Sequence, residues 1–319
     1  MEAIQNHQNI VIVIVTLLLI LAVCVACGNT LVILAICRYL KPRTPTLPIT
    51  LSLAVADLMT GLLGIPLLCF HGISYCILRS SSIFIELSAF PIRVLNIVSF
   101  FHVVALTVDR YLAVMTPLRY GSLVTTKCVA LGIIVMWTTS GISVMLWHKS
   151  FFTDPNSNEY SATDWCNGQE KLSETADVAT LATMSGLSLV AFVLLITSNL
   201  RVLTVAVKQA NIIANMRRVI QPDGHNYNRH DGRLKAVKTT FVVVGTFCAC
   251  WTPTLTYFFL RLTTNMSKEI YVVLVYVSHL VGTISSAVNP LIYGYRNKNF
   301  QDAFRKTIRC GLRTVMTED

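Results

Sequence analysis

Apolar residues along this chain gather into seven long runs, at about 9–37, 47–70, 84–115, 127–147, 177–207, 234–260 and 270–294. Each reaches or exceeds the roughly 20 residues an α-helix needs to cross a bilayer. A helix is also the element that satisfies its own backbone polar groups inside lipid. The pattern predicts an all-α fold: a seven-transmembrane helix bundle forming one domain over 1–319.

After the seventh run the periodicity changes. Phe300, Phe304 and Ile308 recur every fourth residue among the Lys and Arg of 297–309. That pattern predicts a short amphipathic helix lying on the membrane surface. Cys310 follows it directly, and both an acylated anchor and an unmodified thiol are open readings.

Composition agrees with lipid as the solvent. Hydrophobic residues make up 54% of the chain and charged residues only 13%, against roughly 25% charged in soluble domains. So few charges would not cover a water-exposed surface. The formal net charge of +10 does not point to nucleic acid, because the basic residues sit in short segments between apolar runs. Arg38, Lys41 and Arg43 follow the first run, Arg119 and Lys127 bound the third connection, and Lys208, Arg217, Arg218, Arg229 and Arg233 follow the fifth. Arg296, Lys298, Arg305, Lys306, Arg309 and Arg313 follow the seventh. The positive-inside rule makes that side cytoplasmic, which places the amino terminus outside a multi-pass plasma-membrane protein. The segment 148–176, with Asp154, Glu159, Asp164, Glu170 and Glu174, falls on the other side. The first run is too long for a cleaved signal and lacks a basic region before it. Cys24, Cys27, Cys37, Cys128, Cys248 and Cys250 lie in or beside apolar runs and read as small buried hydrophobes.

Ionisable groups inside a membrane are costly and mark function. Asp57 lies mid-way along the second run, and Asp109 and Arg110 end the third. Asn29, Ser99 and Asn289 add polar groups to other runs, while Pro253 and Pro290 are expected to break the sixth and seventh. Bent helices beside a buried carboxylate suggest a bundle built to move.

Together these residues carry a resemblance. Gly28-Asn29, Leu53-Ala-Val-Ala-Asp57, Asp109-Arg110-Tyr111, Trp137, Cys250-Trp-Thr-Pro253 and Asn289-Pro-Leu-Ile-Tyr293 match, in order and one per helix, the signatures of rhodopsin-like G-protein-coupled receptors. Within that class the motifs look most like adenosine receptors, and the wider group with melanocortin and lysophospholipid receptors is similar too.

The resemblance implies a receptor that passes binding of an extracellular small ligand to a heterotrimeric G protein, and not an enzyme. It implies coupling through Asp109, Arg110 and Tyr111, with Pro117 and Leu118 as an apolar knob docking into the G protein. Trp251, Pro253, Asn289, Pro290 and Tyr293 would form the activation switch. Asp57, with Asn29, Ser99 and Asn289, resembles a site for an allosteric sodium ion, the one cofactor-like group expected; oxygen donors suit a hard cation. Ser285 stands where the family often has asparagine. Arg233, followed by Lys235 and Lys238, stands where inactive receptors often place an acidic partner for Arg110. Ligand-independent activity follows as an expectation. In the fifth helix Ala191 replaces a common proline and Asn199 a common tyrosine.

The usual outer disulfide is also altered. Ile85 stands where most of the class has a cysteine, so Cys166 would pair with Cys76 or Cys69, Cys76 being favoured as nearer the outer surface; two free thiols are the other reading. Asn265-Met-Ser267 is a glycosylation sequon.

The adenosine pocket does not carry over intact. Phe258 stands where adenosine receptors place an asparagine, and Thr283 where they place a histidine. Ile92 replaces the aspartate of amine receptors, and Thr283 the lysine of a retinal Schiff base. Arg93, 17 residues before Arg110, sits about 25 Å above it along a helix, near the outer mouth. With Arg261 and His279 it would favour an anionic lipid or carboxylate; Asn96 and Trp251 complete the candidate pocket. The competing reading pairs Arg93 with Glu86, lets Arg261 snorkel and keeps His279 neutral. A constitutively active or odorant-type orphan receptor is the alternative within the class. A transporter is the remote alternative, since the halves show no inverted repeat.

Overall fold

The structure is a computed structural model that describes residues 2–40, 46–73, 82–153, 175–220, 228–264 and 268–316. Its elements are α1 (Glu2–Tyr39), α2 (Thr46–Met59), a π-helical turn (Thr60–Gly64), α3 (Ile65–Ile73), α4 (Ser82–Met115), the one-turn α5 (Tyr120–Leu123), α6 (Thr126–Thr153), α7 (Thr175–Ile220), α8 (Asn228–Thr263), α9 (Lys268–Arg296) and α10 (Lys298–Met316). The second apolar run is thus α2, the π turn and α3 in series.

Six stretches among the described residues are long and apolar enough to cross a membrane: Ile12–Tyr39, Thr46–Phe70, Phe90–Met115, Thr126–Leu146, Ser188–Ile212 and Val237–Thr263. The seventh long helix, α9, carries the polar Ser278, Thr283, Ser285, Ser286 and Asn289 inside the bundle. Outward faces are bare and apolar, as at Leu131, Ile134, Leu189, Val190, Val193 and Leu194. A surface of that kind is stable against lipid and not against water.

The packing places α4 at the centre, against α2, α3, α6, α7 and α8, while α9 bridges α8 to α1. Helices in lipid gain little from apolar contact alone, so close approach and buried hydrogen bonds decide their arrangement. Gly61 shows the first: a Cβ there would lie 2.9 Å from the Ala22 carbonyl oxygen and 3.0 Å from the Ala26 nitrogen. The π turn therefore rests directly on the α1 backbone.

His102 shows the second. It is fully buried, its Nδ1 lies 2.8 Å from the Val98 carbonyl, and its Nε2 lies 2.7 Å from Ser52 Oγ. A carbonyl only accepts, so the proton sits on Nδ1 and Ser52 donates to Nε2. Ser52 Oγ in turn accepts from Trp137 Nε1 at 3.1 Å. One imidazole thus ties α2, α4 and α6 together.

Several expectations need correction. Pro253 and Pro290 do not break their helices; α8 and α9 run through them. Cys24, Cys27, Cys37 and Cys128 are exposed on outer faces, because apolar neighbours surround the whole helix in lipid and periodicity alone does not choose the inner side. Cys248 and Cys250 are buried as expected. The surface helix extends to Met316, past the expected 309. It docks through Phe300, which joins the cluster of Val32, Ile36, Ala54, Val243, Ile292 and Tyr293.

Candidate functional site

The end of the bundle that carries Asp109 and Arg110 holds a connected polar cluster. Asp109 Oδ1 accepts from the Tyr120 hydroxyl at 2.6 Å, and Oδ2 accepts from Thr46 Oγ1 at 2.8 Å. Arg110 Nη2 lies 3.3 Å from Asp109 Oδ2 and also donates to the Thr46 hydroxyl. Thr46 therefore relays between the two: its oxygen accepts from the guanidinium while its proton goes to the carboxylate. Burial, then the bond to Asp109, holds the Tyr120 phenol above its ordinary pKa, so it remains a donor. The Arg110 Nε atom is buried without a partner.

Tyr111 points outward, and Pro117 and Leu118 are exposed, Leu118 almost completely at 99%. Lys238 is exposed on α8. The side chains of Arg233 and Lys235 lie outside the described residues. Sequence reasoning gave Thr46 and Tyr120 no role, because they reach Asp109 across 63 and 11 residues of chain. No local pattern announces such contacts.

A second polar cluster lies at mid-bundle. Asp57 is 1% exposed. Its Oδ1 accepts from Ser286 Oγ at 2.7 Å and Ser99 Oγ at 3.5 Å, and its Oδ2 accepts from Asn289 Nδ2 at 2.9 Å. Ser286 escaped the sequence reading, although it lies one turn before Asn289 on α9 and so shares its face. Ser285 turns away, its hydroxyl donating to the Gly282 carbonyl. Asn29 donates to the Val25 and Ser286 carbonyls, and its Oδ1 is buried without a partner. A carboxylate, hydroxyls and an unsatisfied amide oxygen are a donor set of the kind a small hard cation takes.

Trp251 and Tyr293 flank this core. Trp251 stacks on Phe247 at 5.6 Å, which joins Phe192 and Phe100 in a continuous aromatic seam. Tyr293 stacks on Phe300 at 5.5 Å. The Trp251 Nε1 and Tyr293 hydroxyl are both buried without partners among the described residues.

Towards the other end, Arg93, Asn96, Phe258, Arg261 and His279 are half-buried. Arg93 stands on α4 and His279 on α9. Thr283 is buried and donates to the His279 carbonyl. The Phe258 ring lies tilted against Tyr257, with centroids 5.4 Å apart. Arg93 and Arg261 each make a further interaction of their own. Cys69 is buried and has no disulfide partner among the described residues. Cys76, Cys166, Asn265 and the Cys310 side chain lie outside the described residues.

Residues 28–293 match the family model described as 7 transmembrane receptor (rhodopsin family). The chain belongs to that family. The receptor is 30% identical to the adenosine receptor A2b of Gallus gallus, over 92% of this chain and 87% of the relative. It is 28% identical to the human adenosine receptor A2a, over 92% and 72%. It is also 28% identical to the trace amine-associated receptor 13c of Danio rerio, over 88% and 80%. It is a multi-pass membrane protein and a cell-surface G-protein-coupled receptor, and the relatives are receptors by name.

Proposed function

We propose that this receptor binds a small extracellular ligand between α4, α8 and α9 and hands the signal to a heterotrimeric G protein at the Arg110 end. In this reading that end is cytoplasmic and the amino terminus is outside. The observation that carries it is the restrained guanidinium: Arg110 is bonded to Thr46 and Asp109, and Leu118, in the connection that follows α4, is almost fully exposed. A guanidinium held by its neighbour Asp109 and one neutral hydroxyl, that of Thr46, is released at smaller cost than one held also by a second acid from α8. Basal activity is therefore part of the proposal.

The ligand reading is an anion, a carboxylate or a phosphate lipid. Its support is that Arg93, Arg261 and His279 are half-buried towards the end of the bundle away from Arg110, in a pocket where Phe258 and Thr283 do not offer the hydrogen bonds of a purine site. A site lacking those partners loses much of its affinity for the polar ligand. The Asp57 cluster is proposed as a sodium site: Asp57, Ser99, Ser286 and Asn29 would hold the ion, which would supply positive charge that keeps the helices together.

The test measures cyclic AMP and calcium in cells expressing the receptor beside an Arg110→Ala control, first unstimulated, then with adenosine, a lysophospholipid and a long-chain carboxylate. A basal or evoked signal that disappears in the control supports coupling. A response to adenosine alone would overturn the anion reading.

A further inference from the structure

Asn199 on α7 stands where the family commonly has tyrosine, and the coupling reading above does not use it. It is 5% exposed, and both hydrogens of its amide nitrogen are engaged: one bond goes to the Leu195 carbonyl at 2.8 Å and the other to Thr107 Oγ1 on α4 at 3.0 Å. Thr107 is equally buried and sends its own proton to the Val103 carbonyl at 2.9 Å. The donors and acceptors therefore fit one orientation. Thr107 lies three residues before Arg110, one turn from the coupling arginine.

The neighbours of this bond are apolar. On one side lie Val103, Phe192, Leu195, Val244 and Phe247; on the other, Val202, Ala206 and Val237 against Val114. Such contacts hold register only weakly in lipid, because lipid chains make comparable ones. A buried hydrogen bond does hold one. Arg110 itself is bonded to α2 and to its own helix, and among the described side chains it makes no bond to α7.

We infer that the Asn199–Thr107 bond is a latch that fixes α7 against α4 beside Arg110, making Asn199 a positioning residue that sets how often the coupling end opens. The inference rests on the reading of Arg110 as the coupling residue. A tyrosine at this position is too long to make the same short bond.

The experiment uses the full receptor in nanodiscs with a panel of purified heterotrimeric G proteins, reading basal nucleotide exchange and amide hydrogen exchange across 199–212. Asn199→Ala and Thr107→Val should each raise basal nucleotide exchange, roughly three- to twentyfold from the usual range of such bonds in membranes. Their double variant should do no more than either alone, since all three lose the same bond between α7 and α4. Thr107→Ser keeps the hydroxyl and should match the wild type. Faster amide exchange should follow the same order. Unchanged readouts in both single variants, or effects that simply add, would overturn the latch. Faster amide exchange without signalling to any G protein would keep the latch and count against the coupling reading. Thr107→Val preserves shape, which guards against a merely unfolded variant.

Discussion

The side-chain amide of Asn29 on α1 donates, at 3.2 Å, to the main-chain carbonyl of Ser286 on α9. That carbonyl lies four residues before Pro290, whose missing N–H leaves it without its helical donor. The neighbouring Gly28 makes room: a Cβ there would sit 3.0 Å from the Pro290 ring. The Gly28-Asn29 and Asn289-Pro290 signatures are thus two halves of one contact. The same Ser286 gives its hydroxyl to Asp57, so the contact reaches the polar core.

Asn29→Leu should therefore destabilise the receptor well beyond the loss of one ordinary surface bond. The orphaned carbonyl costs about 1–3 kcal/mol, with no water in the bilayer to relieve it. Thermal unfolding of the purified receptor in detergent should show a lowered midpoint. An unchanged midpoint would mean that the Ser286 carbonyl finds another donor.

Gly61 makes a sharper case. A Cβ at this position meets the backbone of Ala22 and Ala26, atoms that cannot rotate away as a side chain can. Gly61→Leu should separate α1 from the π turn and remove most receptor from the cell surface. At Gly132, where nothing lies within 4 Å, the same change should be tolerated. Surface antibody labelling of the two variants measures the difference, and equal surface levels would refute the close-approach argument.

The seven helices were legible because lipid writes length and apolarity directly into the chain. The polar residues that lipid should exclude, Asp57, Asn289, Asp109 and Arg110, mark both clusters in the sequence itself. What escaped was partnership. Thr46, Tyr120 and Ser286 are ordinary polar residues whose roles come from neighbours remote in sequence. The π turn at Thr60–Gly64 was hidden too, since an apolar run looks the same with or without one extra residue per turn. Cys24 and Cys27 faced the wrong way in the sequence reading, because an outward face in lipid is as apolar as an inward one.

If the Asp57 cluster holds sodium, the ion should stabilise the receptor by mass action. At ten times the dissociation constant the gain is about 1.4 kcal/mol, visible as a higher unfolding midpoint in sodium chloride than in choline chloride of equal ionic strength. Asp57→Asn removes the charge and should abolish the difference, and Ser286→Ala should reduce it. A sodium effect that survives Asp57→Asn would place the ion elsewhere.

Thr46 offers the most direct test of the restrained arginine. Thr46→Val keeps the shape and removes both the acceptor for Arg110 and the donor to Asp109. Thr46→Ser keeps both. The Arg110 side chain is 18% exposed, so part of the bond is screened, and a net loss of about 1 kcal/mol is expected. That corresponds to a basal signal roughly fivefold above wild type for Thr46→Val and unchanged for Thr46→Ser, compared at equal surface expression. Tyr120→Phe should give a smaller rise, since Asp109 keeps its Thr46 donor. If Thr46→Val and Thr46→Ser behave alike, the hydroxyl does not restrain Arg110, and Asp109 is left as the partner that holds it.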